Sequence, residues 1–136
     1  MSPSRLLLVP LLLAQLLLGS ACRPWLHVKL ASAQERLPAP AFSVEDPSQD
    51  GGPPLYDTIH VLAEDGEVVW FARAQSFGGA HPSRIIYGEV PPSFESVEGP
   101  QRLESGRLYR IEVSGTAAGT LRFLTGPDGR VYPEKD

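Results

Sequence analysis

The sequence predicts an all-β fold, a small antiparallel sandwich of about seven short strands. From Leu37 onward prolines recur too often for a long helix, because proline lacks a backbone N–H and ends helices. The segments between them are short, and many are rich in apolar residues or alternate apolar with polar ones. The predicted strands span residues 41–44, 58–63, 68–72, 84–90, 108–113, 121–123 and 130–132.

The second and third predicted strands form the clearest hairpin. Asp65-Gly66 lies between the apolar runs 58–63 and 68–72. Glycine adopts the positive φ that a tight hairpin turn requires, so this dipeptide predicts direct antiparallel pairing of the two runs. The first strand, 41–44, is predicted from its alternation of apolar and small residues.

The fourth and fifth strands differ in pattern. Residues 84–90 contain a continuous apolar centre. Residues 108–113 alternate strictly, which places Tyr109, Ile111 and Val113 on one face and charged residues on the other. We therefore expect the fifth strand to bury one face and expose the other.

The last two strands are short. Residues 121–123 repeat the apolar–charged alternation. The sequence Pro127-Asp128-Gly129 is typical of a turn and leads into residues 130–132. These elements complete a predicted sandwich or small barrel.

One segment resembles a known structural motif. In residues 103–113, Leu103, Gly106 and Tyr109 precede an alternating strand, as in the tyrosine corner of immunoglobulin-like and fibronectin type III domains. The resemblance implies an immunoglobulin-like sandwich in which the Tyr109 hydroxyl bonds to a backbone group upstream. It also implies that Trp70 is the buried aromatic residue of the core.

The N-terminus is typical of a helical secretory signal segment. Arg5 precedes the apolar run 6–18, and small residues separate this run from Cys22, the only cysteine. These small residues are Gly19, Ser20 and Ala21. The run contains thirteen residues, which is short of the ~20 needed to span a bilayer.

The sequence Ser20-Ala21-Cys22 resembles the lipobox of bacterial lipoproteins. The resemblance implies that the Cys22 thiol receives a diacylglycerol and its amino group an acyl chain, which hold the protein on a membrane. Arg23, rather than aspartate, follows the cysteine, and by the same resemblance this favours the outer over the inner membrane. The alternative is ordinary cleavage after Ala21 or Ala33, which would release a soluble secreted β-domain.

The chain is thus predicted to contain a signal peptide at 1–21, a lipidated cysteine and tether at 22–37, and one β-sandwich domain at 38–136. Trp25 and its apolar neighbours have two interpretations. They form an interfacial anchor beside the lipid, or they form a plain linker or a short segment packed on the domain.

The net charge of the chain limits the classes of partner that it is expected to bind. The chain has 12 Lys plus Arg and 16 Asp plus Glu; without Arg5 of the signal the balance is 11 against 16, a net charge of −5. A mildly acidic domain with no basic cluster argues against nucleic acid as a partner, and against an anionic lipid surface beyond the anchor itself.

Residues suited to catalysis or metal binding show no favourable spacing. The histidines His27, His60 and His81 are far apart, and no Gly-x-Ser-x-Gly sequence is present. We expect no metal, no cofactor and no enzymatic activity. A ligand site is most readily placed at Phe77 and His81 in the loop 74–82, with Tyr87 nearby; the alternative is that Phe77 caps the core and the loop only connects strands.

These observations predict a non-enzymatic envelope module that binds a protein, a peptide or a glycan. Two alternatives remain. The first is a small envelope hydrolase whose residues converge only in the fold. The second is a stalk or assembly factor.

Overall fold

The computed structural model describes residues 25–49, 51–76 and 81–135. Within these residues the chain forms nine strands and one turn of 3-10 helix, Pro47–Gln49, and the predicted all-β fold is confirmed. The strands are β1 His27–Leu30, β2 Ala41–Glu45, β3 Thr58–Ala63, β4 Val68–Ala74, β5 Arg84–Ile86, β6 Phe94–Glu98, β7 Leu108–Ser114, β8 Ala118–Thr125 and β9 Val131–Pro133.

The strands pair in two antiparallel sheets. The smaller sheet has the order β1-β2-β5, and the larger has the order β6-β4-β3-β7-β8-β9. The predicted hairpin is β3–β4, with the Asp65-Gly66 turn between them and Gly66 at a φ of 90°. All seven predicted strands are present, although the fourth ends at Ile86.

Two strands were not predicted. β1 lies within the segment interpreted as a tether, and it pairs with β2 along its whole length. Its side chains alternate, so that Leu26 and Val28 are buried in the core while His27 and Lys29 face water. β6 buries only Phe94, which left little apolar pattern to detect.

Aromatic side chains fill the space between the sheets. Phe42 of the smaller sheet packs on Phe123 of the larger, with ring centroids 5.2 Å apart, and Phe123 also stacks on Tyr109 at 5.7 Å. Trp70 is fully buried, and its ring system packs nearly perpendicular to that of Tyr87, with centroids 5.4 Å apart. Aromatic pairs in these geometries stabilise a core beyond the area they bury.

The sandwich has two distinct ends. Trp25 forms a bridge with Ala118 at the start of β8, and we call this end of the molecule the Trp25 end. β3 begins there, and β7 finishes there. The opposite end, called the far end, carries the β3–β4 turn at 64–67 and the β8–β9 turn at 126–130.

Candidate functional site

Two of the four predicted site residues, Cys22 and Phe77, lie outside the described residues. The other two, His81 and Tyr87, are both buried. His81 precedes β5 and Tyr87 directly follows it, so the two side chains lie at opposite ends of that strand. The structure does not bring them together in one surface site.

His81 lies in an aromatic cluster at the Trp25 end. Its ring centroid is 5.0 Å from that of Tyr56 and 4.9 Å from that of Phe94, and the residue is 8% exposed. The Tyr56 hydroxyl donates a hydrogen bond of 2.7 Å to the carbonyl oxygen of Pro82. Burial lowers the pKa of His81, and the charge of Asp57 opposes this effect only in part.

The lowered pKa of His81 predicts a pH-dependent stability. The unfolded chain binds a proton at His81 more readily than the folded chain, so its contribution is fully present above about pH 6.5 and is lost as the pH falls. We expect the free energy of unfolding of wild type to drop more steeply between pH 7.5 and pH 5 than that of His81→Gln. Urea titrations at a series of pH values measure this difference; parallel curves would contradict the prediction.

Tyr87 directly follows β5, and its contacts are those of a structural residue. Its hydroxyl donates a 2.5 Å hydrogen bond to the carbonyl oxygen of Gln101, and its ring packs against Trp70. Burial raises the pKa of Tyr87, so the hydroxyl stays protonated and keeps donating even at alkaline pH values that ionise an exposed tyrosine. These contacts fix the segment around Gln101 against β5.

A groove opens on the side of the sandwich between β1 and the β8–β9 pair. We call it the side groove, and its volume is about 430 Å³. Most of its lining is apolar, with Lys29 and Ser32 at the rim. The apolar residues that line it are Leu30, Ala33, Leu121, Val131, Tyr132 and Pro133.

The main chain of β1 faces this groove. Ala31 donates its N–H to the carbonyl of Ala41, which fixes the alternation of bonded pairs between β1 and β2. Because bonded and non-bonded pairs alternate in antiparallel strands, Lys29 directs its N–H and C=O toward β2. Val28 and Leu30 therefore direct their main-chain groups to the other side, toward the β8–β9 pair.

A second groove of about 640 Å³ lies at the far end, and we call it the end groove. It runs between Leu37-Pro38, the segment 102–105 and the β8–β9 turn. The segment 31–37 separates it from the side groove. This segment is held on β9 by a hydrogen bond from the Val131 N–H to the Glu35 carbonyl, and on the β8–β9 turn by one from the Leu37 N–H to the Gly129 carbonyl.

The outer face of the larger sheet is occupied by paired side chains. His60 stacks on Phe71 with ring centroids 4.1 Å apart and an interplanar angle of 8°. Ion pairs join Arg73 to Glu95 at 2.7 Å and Arg122 to Glu134 at 2.8 Å. Such exposed pairs contribute little stability each, about 0–1 kcal/mol.

Comparisons of the chain with protein-family models, with curated proteins and with solved structures gave no match. Across the described residues, no three His, Cys, Asp or Glu side chains group as a metal site would require. In the same residues, no helix has the length and apolar character needed to cross a membrane. The side groove is the part of this surface that combines apolar walls with main-chain groups of an edge strand, and we take it as the candidate site.

Proposed function

We propose that the chain is a bacterial envelope lipoprotein, anchored through Cys22, whose β-domain is a non-enzymatic interaction module. The basic, apolar and small-residue order of residues 5–21 supports export, and a cysteine at its exit supports acylation. Two or more acyl chains hold a protein stably on a bilayer, whereas one alone binds marginally. Within this proposal, Arg23 favours the outer membrane.

We further propose that the module binds an extended peptide segment of an envelope partner in the side groove. The observation that carries this proposal is the position of the edge strand β1 beside apolar walls. A peptide aligned with the end of β1 would form main-chain hydrogen bonds with Leu30, which lines the groove. Its alternate side chains would then enter the apolar groove, as in other cases of strand addition.

The tyrosine-corner resemblance is part of the same proposal. The Glu104 N–H donates a 2.9 Å hydrogen bond to the Tyr109 hydroxyl, which fits the bond that the motif implies. Thr125 of β8 accepts from the Arg107 N–H and donates to the Glu104 carbonyl, so the corner is tied to the larger sheet. This geometry supports an immunoglobulin-like architecture.

The anchoring proposal predicts a mass. The protein, expressed with its own signal in a bacterial host, is expected to begin at Cys22 and to carry the added mass of a diacylglycerol and an acyl chain. Cys22→Ala removes the thiol and is expected to lose all lipid mass. The matched variant Ser20→Ala keeps a small residue and is expected to stay lipidated. An unmodified wild-type protein that begins elsewhere would refute the anchor.

The peptide-binding proposal is tested with a random dodecapeptide library displayed on phage. Peptides selected on wild type are measured by fluorescence anisotropy against Ala33→Trp, which fills the groove at an exposed position. We expect at least a tenfold loss of affinity, about 1.4 kcal/mol. Val97→Trp adds the same side chain on β6, at the other edge of the larger sheet, and should bind normally. Equal binding by both variants, or no selected peptide, would refute this use of the groove.

A further inference from the structure

The segment that follows Cys22 is divided by the fold into a buried part and an exposed part. Leu26 and Val28 are core residues, at 3% and 6% exposure. Trp25 is 70% exposed, the highest value among the large apolar side chains that the structure describes. The exposed indole adds nothing to the core, and its apolar surface is open to contact with another surface.

The position of Trp25 on the sandwich is fixed. It bridges Ala118, and the neighbouring Leu26 N–H donates a 2.9 Å hydrogen bond to the Ala118 carbonyl. Gly119 allows this close approach, because a Cβ at that position would lie 2.2 Å from the Leu26 carbonyl oxygen. Trp25 is therefore held by main-chain contacts at the end of a sheet.

The distance from Trp25 to the proposed anchor is short. Cys22 lies three positions earlier, and three residues span at most about 11 Å. An acylated Cys22 is at headgroup level, since its chains enter the hydrocarbon. The interfacial layer of each leaflet is roughly 5–8 Å thick, and tryptophan is enriched there. The indole of Trp25 is therefore within reach of that layer.

The turns at the two ends of the sandwich differ in charge, while Glu45, opposite His27, and Asp57, whose N–H bonds to the Ser114 carbonyl, place carboxylates at the Trp25 end as well. The β7–β8 turn beside Trp25, residues 114–118, carries no charged side chain. The β3–β4 turn at the far end carries Glu64, Asp65 and Glu67. The uncharged turn beside the exposed indole therefore gives the bilayer interface, where tryptophan is enriched, a surface without a charged side chain next to Trp25.

From these observations we propose that the Trp25 end of the sandwich rests on the lipid bilayer, with the Trp25 indole in the interfacial layer. This inference rests on the proposed anchoring through Cys22. β8 runs from the Trp25 end to the far end, a length of about 24 Å for its eight residues. The end groove then faces away from the membrane, and the side groove stands beside the body of the domain, open to a partner.

Tryptophan fluorescence tests this orientation, because the chain has only two tryptophans and the other, Trp70, is fully buried. The lipidated protein, with its mass verified, is placed in phosphatidylcholine vesicles, and the Trp25 signal is the difference between wild type and Trp25→Phe. We expect phosphatidylcholine brominated in its acyl chains to quench this difference signal at least twofold. We expect acrylamide to quench it less than in the lipid-free Cys22→Ala protein.

A matched variant places the probe at the other end. Trp25→Phe combined with Tyr132→Trp puts an indole on β9, where Tyr132 is 43% exposed. Its signal should be quenched by acrylamide and not by brominated lipid. Lipidated protein whose Trp25 signal is open to acrylamide and unaffected by brominated lipid would overturn the orientation and leave the anchor intact. Quenching of the Tyr132→Trp signal by brominated lipid would also overturn the orientation. A wild-type protein whose mass includes no lipid would overturn the anchor and the orientation together.

Discussion

Replacing Phe123 with alanine is expected to destabilise the domain by about 3–5 kcal/mol. Phe123 is fully buried and lies between Phe42 of the smaller sheet and Tyr109 of the larger. Its removal leaves a cavity at the point where the sheets meet, and the partner rings lose their contacts. Because folded domains are stable by only about 5–15 kcal/mol, this loss is a large share of the total.

Urea unfolding measures the effect as a lower midpoint at an unchanged slope. The matched control is Leu124→Ala, the next residue of β8, which points to the other face and is 41% exposed. The control should change stability by no more than about 0.5 kcal/mol. Similar losses for the two variants would mean that the core is not centred on the Phe42–Phe123 contact.

The face that each strand buries could be predicted where its alternation is long enough to be read locally. In β7, Tyr109, Ile111 and Val113 are buried as the pattern indicates. In β4 the alternation fails, because Val69 and Trp70 are both buried. The register of β3 and β4 shifts at this point, which places two consecutive side chains on one face. Such a shift depends on the partner strand and leaves no periodic signal.

The residues of β1 carry a strand pattern next to a predicted lipidation site, and the two features favour different interpretations. Leu26, Val28 and Leu30 alternate with polar residues, which is a strand pattern of period two. The same residues follow a predicted lipidation site, where a tether or an interfacial anchor is equally compatible with them. The pairing of β1 with β2 and the hydrogen bond from Leu26 to Ala118 place Leu26 and Val28 in the core, and Trp25 is left as the exposed apolar residue of the segment.

The candidate site was even less accessible to sequence reasoning. His81 was predicted in a surface loop, but Tyr56 and Phe94, which cover it, come from distant parts of the chain. The side groove likewise forms where β1, near one end of the described chain, meets β9, near the other. No local sequence pattern predicts that β1 and β9 lie side by side, because their contact depends on how the two sheets pack together.

The contact between the two sheets at Leu26 and Gly119 predicts the second large loss of stability. Gly119→Ala is expected to destabilise the protein by about 3 kcal/mol, the upper end of the usual cost of overpacking. The added Cβ would lie 2.2 Å from the carbonyl oxygen and 2.8 Å from the carbonyl carbon of Leu26. Both neighbours are main-chain atoms, which cannot rotate away as a side chain does, so β1 must shift from β8 and weaken the Leu26–Ala118 hydrogen bond.

Urea unfolding and Trp25 fluorescence together test this expectation. A shift of β1 moves the exposed indole as well, so the emission of Gly119→Ala should differ from wild type while the protein is still folded. Thr120→Ala is the matched control, because its side chain is exposed on the other face of β8 and should change neither property. Wild-type stability in Gly119→Ala would show that β1 does not approach β8 this closely. Trp25 would then lack the rigid support on which its proposed placement against the membrane depends.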